Sequence, residues 1–520
     1  MRSFTLRSSN SSFAQTKGAE REHSADIVIV GNGIAGMTAA LETRRLAPDK
    51  RIVIVTAQCH PTINTPSLKQ FALGKLEREQ LLTYPLGTER AKGIQVIYGR
   101  VEEIRAQRKE IALADGSTIA YGSLLIATGS TAQGLSTHLP GQDFDGVLIL
   151  HRLQDYVDLR RRLREVNAAV VIGGGAHAIE TVTCLLQLGM QTHWLIRGKT
   201  CLPHVLDADA SNFLLRRMEQ AGVSISTETE AIGFAGHMGV VAGVMTNQQR
   251  IIPCQLVLVC TGTRPVTTLA EHCSLPMLYE RNRGILVNNQ LRTNVPDIYA
   301  AGDVAAVNNP QTGMHEIRAQ WYAAVVQGCA AAKAMTGQTL SDASSFGVPW
   351  HATRLGELSL LTVGNPTGRV AGGITLTDSS RGNYRRLSMV DDRLVGYLSL
   401  GSAQADGLAI KRLIDEGRSV RSVKEALLKG KFDARQFFLE QHSSSVFALT
   451  TSGKIPVVSV TPPELPLVRP FAAAGELSLP PSSPRMQFRR PLPQAQCRGR
   501  FIAPTADLSA PSRLPINRPP

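Results

Sequence analysis

The sequence predicts an α/β fold: two Rossmann-like, three-layer units built on parallel strands, then a smaller C-terminal α+β domain. Two stretches carry the first part. DIVIVGNGIAGMTAAL at 26–41 and AAVVIGGGAHAIET at 168–181 each pass from an apolar, β-branched run through a glycine turn into a helix-forming run. The C-terminal domain rests on the stretch 345–450. There, strand patterns near 370–376, 384–390 and 393–400 precede helical ones near 406–416 and 420–429.

In the first unit, strand, GxGxxG and helix follow one another directly. That context turns a common glycine pattern into a dinucleotide-binding signature. Gly31 permits the tight turn, Gly33 lets the backbone approach a pyrophosphate, and Gly36 lets the helix pack on the strand. The helix start at Ile34 and Ala35 supplies free N–H groups and partial positive charge for the phosphates. The second strand, Arg51 to Val55, runs into Thr56, Ala57 and Gln58, where this signature usually carries a ribose-binding acid. Gln58 is the hydrogen-bonding candidate there. Residues 59–99 read as a loop, a short helix and a third strand, and Ala114-Asp115-Gly116 sets up a hairpin. YGSLLIATGS (121–130) places Thr128 and Gly129 at the C-terminal end of a buried strand, the edge at which open α/β sheets bind ligands.

In the second unit the glycine positions are filled by Gly173, Gly175 and Ala178, the last still small enough for close packing. Its second strand ends at Ile196-Arg197 without an acid. Arg197 is either a contact for the 2′-phosphate of NADPH or a solvated cation. Further on, IIPCQLVLVCTG reads as a strand ending near Gly262, and a short strand at Ile298 to Ala300 stops at Gly302 and Asp303. An Asp at a buried strand edge needs partners: a flavin ribityl hydroxyl, or the N–H groups of a helix start.

The net charge is +14, and half of it lies in the ends. Residues 1–25 carry four Lys/Arg against two Glu, and 455–520 carry eight Arg against three acids. The body is only mildly basic, and no aromatic-interleaved basic face marks a nucleic-acid binder. Fifteen of the 28 prolines fall in 455–520, so that segment, like 1–25, reads as a disordered tail. No apolar run reaches the roughly 18 residues of a membrane span, and 1–25 lacks the apolar core of a secretory signal. Eight scattered cysteines without CxxC or metal-ligand spacing fit reduced thiols in a reducing, cytoplasmic compartment.

The motifs in this order resemble the FAD- and NAD(P)-dependent pyridine nucleotide-disulfide oxidoreductases, the glutathione reductase superfamily. Within it they look most like the NADH:rubredoxin reductases and the flavin portion of NAD(P)H nitrite reductases. The resemblance runs over about residues 25–440. It rests on GNGIAGMTAA, LLTYP with KGIQVIYG, YGSLLIATGS, VVIGGGAHAIE, VCTGTRP, LRTNVPDIYAAGD and QWYAAVVQGCAAAKAMTG. It implies an FAD domain over 26–148 and 266–340, interrupted by an NAD(P) domain over 149–265, and a third domain that often takes part in dimerisation. It implies FAD contacts from Gly31, Gly33, Gly36, Thr128, Gly129, Gly302 and Asp303. Gly173, Gly175, Ala178 and Gly262 would meet the nicotinamide dinucleotide. Glu180 matches an acid near the flavin that pairs with a lysine; the aligned position is Gln70, with Lys69 one residue earlier. Thr65 stands where the family carries an arginine.

The redox cysteines of disulfide-using members have no counterpart at their usual place, which holds Asn64-Thr65-Pro66-Ser67; Cys59 lies several residues earlier. The resemblance therefore implies an NAD(P)H oxidoreductase whose electrons leave FAD directly. The acceptor would be a small redox protein such as rubredoxin or ferredoxin, a partner reductase, oxygen or a quinone. Hydride transfer to flavin needs alignment more than a protein acid or base, so no catalytic dyad is expected. The departures at Thr56, Ala57, Thr65, Gln70, Ala178 and Ile196 keep a second class open: a flavoprotein fold retained as a binding or regulatory module.

Overall fold

The computed structural model of the protein describes residues 22–135, 139–278, 284–338, 346–367, 372–380, 382–402 and 406–439. The chain divides into two units, Met1–Ser445 and Val446–Pro520, and every described residue belongs to the first. The segment 455–520 and residues 1–21, expected as tails, lie outside the described residues. The first strand begins at Glu22, inside the segment expected to be tail.

The first sheet draws on chain from both sides of the second. Glu22–Val30 lies between Ile52–Thr56 and Thr118–Ile126, all parallel, and Ile94–Tyr98 extends the sheet beyond Ile52–Thr56. The C-terminal half of Thr118–Ile126 pairs in parallel with Ile298–Ala300. Its N-terminal half forms the expected hairpin with Glu110–Leu113, turned at Gly116 with φ +86°. Val28, Ile29, Leu124, Leu125 and Ile126 are inaccessible to solvent, as strands of a sheet covered on both faces must be.

Three helices bear on the site: α1 (Ile34–Leu46), α2 (Ala176–Gln187) and α3 (Trp321–Met335). Helices α1 and α3 pack closely because Gly328 has no side chain. A Cβ there would stand 2.5 Å from the Ala35 carbonyl oxygen.

The second sheet is parallel throughout, in the order Ser224–Ser226, Gln191–Leu195, Ala168–Ile172, Leu256–Val259, Val147–Ile149. It therefore starts just ahead of residue 149. Cys254 and Cys260 flank Leu256–Val259 and are both buried. A two-stranded antiparallel ribbon, Ser130–Ala132 with Thr263–Pro265, carries the chain out of one sheet and back from the other.

The third sheet is antiparallel, in the order Trp350–Leu355, Leu358–Gly364, Arg393–Gly401, Asn383–Val390, Ile374–Ser380, with helices Gly407–Asp415 and Lys424–Lys429. Its first two strands go beyond the sequence expectation. They form a hairpin with Leu355 opposite Leu358 and Gly356 at φ +67°. The Asp391-Asp392 turn has φ of +47° and +59°, the positive pair that suits the twist of a two-residue hairpin. Among the described residues no helix is long and apolar enough to cross a membrane.

Candidate functional site

Both glycine turns lie at the C-terminal ends of parallel strands, one in each of the first two sheets. Gly31, at φ +110°, turns the chain out of Glu22–Val30 into α1. A Cβ on Gly31 would lie 2.3 Å from the Ala127 carbonyl oxygen, and one on Gly36 would lie 2.1 Å from the Gly31 carbonyl. Both glycines are therefore demanded by packing within the protein. Gly33 differs: its chain neighbours apart, no described atom lies within 4 Å of its Cβ position, so that side of the turn is open to a ligand. Gly33 is also the N-cap of α1, which has no side-chain cap among the described residues and no acid in its first turn. The N–H groups at Ile34, Ala35 and Gly36 are left for an anion.

The second turn repeats this design. Gly173 has φ +137°, and a Cβ there would meet the Cys260 carbonyl oxygen at 2.2 Å. Gly175 is open on its Cβ side and caps α2, again with no acid in the first turn and no side-chain cap among the described residues. Ala178 is fully buried where the third glycine would stand. The Trp194 indole N–H donates to the Gly173 carbonyl at 2.6 Å and fixes the turn. Two open glycines, each capping a helix with unclaimed N–H groups, fit two dinucleotide pyrophosphates.

At the end of Ile52–Thr56, the position expected to hold an acid is turned inward. Thr56 is buried and its hydroxyl donates to Asn32 Oδ1 at 2.8 Å. Asn32 Nδ2 in turn donates to the His60 carbonyl at 3.0 Å. Gln58 is exposed at the same strand end. In the second unit Arg197 is exposed, with its Nε 3.8 Å from Glu230 Oε1.

Thr128 donates its hydroxyl to the Val266 carbonyl at 2.7 Å. Gly129 and Gly262, at φ +68° and +110°, lie at the two ends of the connecting ribbon. Asp303 accepts from the Ser130 hydroxyl at 2.8 Å, and His151 Nε2 lies 2.9 Å from the Ser130 carbonyl. Asp303 leads into the strand Ala305–Asn308 rather than a helix, so it is not the N-cap of a helix that follows it. Beside it, the Gly302 N–H donates to Gln327 Oε1 at 2.7 Å, while Gln327 Nε2 is buried with no partner among the described residues. That nitrogen is a spare donor next to the Gly302 turn.

Burial pushes the Asp303 carboxyl above its ordinary 3.8. A carboxyl with a raised folded pKa binds its proton better in the folded than in the unfolded chain, so its contribution to stability falls as pH rises above about 4. In FAD-free protein, Asp303→Asn is expected to gain stability over the parent at pH 7 relative to acid pH, while binding FAD more weakly. Thermal unfolding at the two pH values, with an FAD titration, checks both halves.

The lysine and glutamate do meet. Lys69 Nζ lies 2.6 Å from Glu180 Oε2, with both side chains mostly buried, whereas Gln70 is exposed. The other oxygen, Glu180 Oε1, accepts from the Thr353 hydroxyl at 2.7 Å. One carboxylate on α2 thus ties a segment that follows the second strand of the first sheet to the first strand of the third. Thr353, Ser130, His151 and Gln327 lie outside the glycine motifs. The buried Tyr156 also meets α2, with its hydroxyl 2.7 Å from His177 Nε2; burial lowers the His177 pKa to about 3.

The family pattern described as pyridine nucleotide-disulphide oxidoreductase matches residues 25–328. The chain belongs to this family. This pyridine nucleotide-disulphide oxidoreductase is 31% identical over 325 residues to the ferredoxin–NAD(+) reductase subunit of the benzene 1,2-dioxygenase system of Pseudomonas putida. That match covers 62% of this chain and 77% of the relative. Rubredoxin-NAD(+) reductase of Pseudomonas putida is 28% identical, over 54% of this chain and 72% of its own. Among solved structures, a ferredoxin reductase from Rhodopseudomonas palustris matches with TM-score 0.71 at 25% identity, over 79% of this chain and 99% of that one. The covalent putidaredoxin reductase–putidaredoxin complex shares the fold, with TM-score 0.71 at 24% identity over 78% of this chain and 99% of that one. The protein is an FAD-dependent NAD(P)H oxidoreductase.

Proposed function

We propose that the protein takes electrons from NAD(P)H and hands them, through FAD, to a small iron–sulfur or rubredoxin-type carrier protein. The observation that carries this reading is the pair of glycine turns, each open to a ligand and each at the carboxyl end of a parallel strand in its own sheet. In this reading Gly31, Gly33, Ile34, Ala35 and Gly36 hold the FAD pyrophosphate, and Gln58 meets the adenosine ribose. Thr128, Gly129, Gly302 and Asp303 line the remainder of the FAD site. Gly173, Gly175, Ala178 and Gly262 hold the nicotinamide dinucleotide, with Arg197 at its ribose end. Lys69 and Glu180 sit between the two sites and orient the flavin.

Bound FAD supplies a hydride acceptor that returns electrons one at a time, as a one-electron carrier requires. The chain's own part is to hold two dinucleotides in register and to exclude water between them. The seven described cysteines are free thiols. Burial pushes Cys184 and Cys260 up to about 11 and Cys254 up to about 12, out of the range of a reactive thiolate. Electron exit directly from the flavin accords with this. The relatives are reductases of carrier proteins by their names, so the binding-module alternative is not favoured. Unpaired thiols also favour the reducing cytoplasm, and a homodimer through the third domain follows the family resemblance. Reduction of cytochrome c by NADH plus the protein, expected only when ferredoxin or rubredoxin is added, tests the acceptor. A rate indifferent to both carriers contradicts it.

A further inference from the structure

The strand Gln191–Leu195 ends at Ile196-Arg197, without the acid that usually receives a coenzyme ribose. Space supplies what the sequence order lacks. The segment after the neighbouring strand Ser224–Ser226 crosses this end and is pinned to it. The Thr229 N–H donates to the Ile196 carbonyl at 3.1 Å, and the Glu228 N–H donates to the Gly198 carbonyl at 3.1 Å. Glu230 follows directly, its own N–H held by Asn247 Oδ1 at 3.0 Å. The crossing places Glu230 Oε1 3.8 Å from Arg197 Nε, and Glu228 Oε1 3.8 Å from Lys199 Nζ. All four side chains remain largely exposed, at 52% for Glu230 and 77% for Arg197.

We infer that Glu230 is the ribose-reading acid of the nicotinamide coenzyme site, and that its pairing with Arg197 lets this one site accept both NADH and NADPH. The inference rests on the second glycine turn holding that coenzyme. A carboxylate accepts hydrogen bonds from the 2′- and 3′-hydroxyls of an unphosphorylated ribose and repels a 2′-phosphate. A guanidinium attracts the 2′-phosphate, which it binds through two parallel N–H bonds, and is nearly indifferent to the unphosphorylated ribose. At 3.8 Å and in solvent the Arg197–Glu230 pair is weak, so Arg197 leaves it readily for a phosphate. With NADH bound, Glu230 faces the ribose and the cation stays with it. With NADPH bound, Arg197 faces the 2′-phosphate. The acid and the base at this strand end therefore oppose each other in coenzyme choice, and neither dominates. Lys199 and Glu228 add one charge of each sign alongside and leave the balance unchanged.

The test is calorimetric binding of NAD(+), NADP(+) and adenosine 2′,5′-bisphosphate to the full-length holoprotein, none of which requires turnover. Parent protein is expected to bind both coenzymes with similar affinity. Glu230→Gln is expected to weaken NAD(+) and tighten NADP(+), each by about fivefold, the scale of one exposed charge contact. Arg197→Gln is expected to weaken NADP(+) and the bisphosphate by about tenfold or more and leave NAD(+) nearly unchanged. Both substitutions are on exposed side chains, and retained flavin absorbance certifies the fold. Unchanged affinities in Glu230→Gln, beside a parent that binds NAD(+), overturn the role of Glu230 and leave the coenzyme site standing. A parent that binds neither coenzyme overturns the site itself, and the inference with it.

Discussion

Gly31→Ala is expected to give a protein without flavin colour. At φ +110° the backbone sits where an L-residue is strained by about 1–3 kcal/mol. The new Cβ would also lie 2.3 Å from the Ala127 carbonyl oxygen, an atom at the end of the adjacent strand rather than at the tip of a flexible side chain. Relief requires the turn or the strand to move, and overpacking of this kind costs about 1–3 kcal/mol more. The sum is a sizeable part of the roughly 5–15 kcal/mol by which domains are stable. Either movement drags the N–H groups of α1 away from the pyrophosphate. The expected result is loss of visible flavin absorbance per chain, with FAD affinity reduced at least about a hundredfold, which is some 3 kcal/mol. Parental FAD content in a folded Gly31→Ala protein would contradict the assignment of this turn.

Gly173→Ala is expected to separate the two sites. Here φ is +137° and the clash is with the Cys260 carbonyl oxygen at 2.2 Å, so the same strain arises in the second sheet. The Trp194 indole, bonded to the Gly173 carbonyl, resists any outward shift of the turn. The first sheet shares no strand with the second, so FAD is expected to stay. The protein should therefore be yellow, should bleach with dithionite, and should be reduced by NAD(P)H only at coenzyme concentrations about thirtyfold or more above those of the parent, about 2 kcal/mol of lost binding. Reduction by NADH at the parental concentration would show that this turn does not hold the coenzyme.

The glycine turns were legible in the sequence because each is local. Strand, turn and helix are consecutive, and Gly36 meets the Gly31 carbonyl inside the same motif, although the atoms that forbid a side chain at Gly31 and Gly173 belong to Ala127 and Cys260, far along the chain. The lysine partner of Glu180 was readable only as a choice between Lys69 and Gln70. The helix Leu68–Ala72 settles it by turning Lys69 inward and Gln70 to solvent. Thr353 could not be found this way, because it joins Glu180 from 173 residues away in another sheet. Ser130 and Asp303 are also 173 residues apart, and only the pairing of Thr118–Ile126 with Ile298–Ala300 brings their strand ends together.

Other features had a readable signal. Asn32 stands between the first two glycines, and a polar side chain there, with a threonine ending the next strand, hints at the bond that turns Thr56 inward. Gly356-Glu357 between WHATRL and LSLLTVG is a glycine-led two-residue turn between strand-like runs. It announces the hairpin that opens the third sheet. The proximity of Glu230 to Arg197 depends on how a loop crosses a strand end, and no spacing in the sequence encodes it.

The most direct test of the central claim is an anaerobic absorbance titration of the purified protein with NADH and, separately, NADPH. The flavin spectrum is expected to bleach fully at one coenzyme per flavin, because the flavin is the sole two-electron acceptor. Uptake of a second equivalent would reveal another redox centre and contradict direct electron exit. A protein that stays colourless after FAD is supplied, or a flavin that neither coenzyme reduces, would contradict the oxidoreductase mechanism itself.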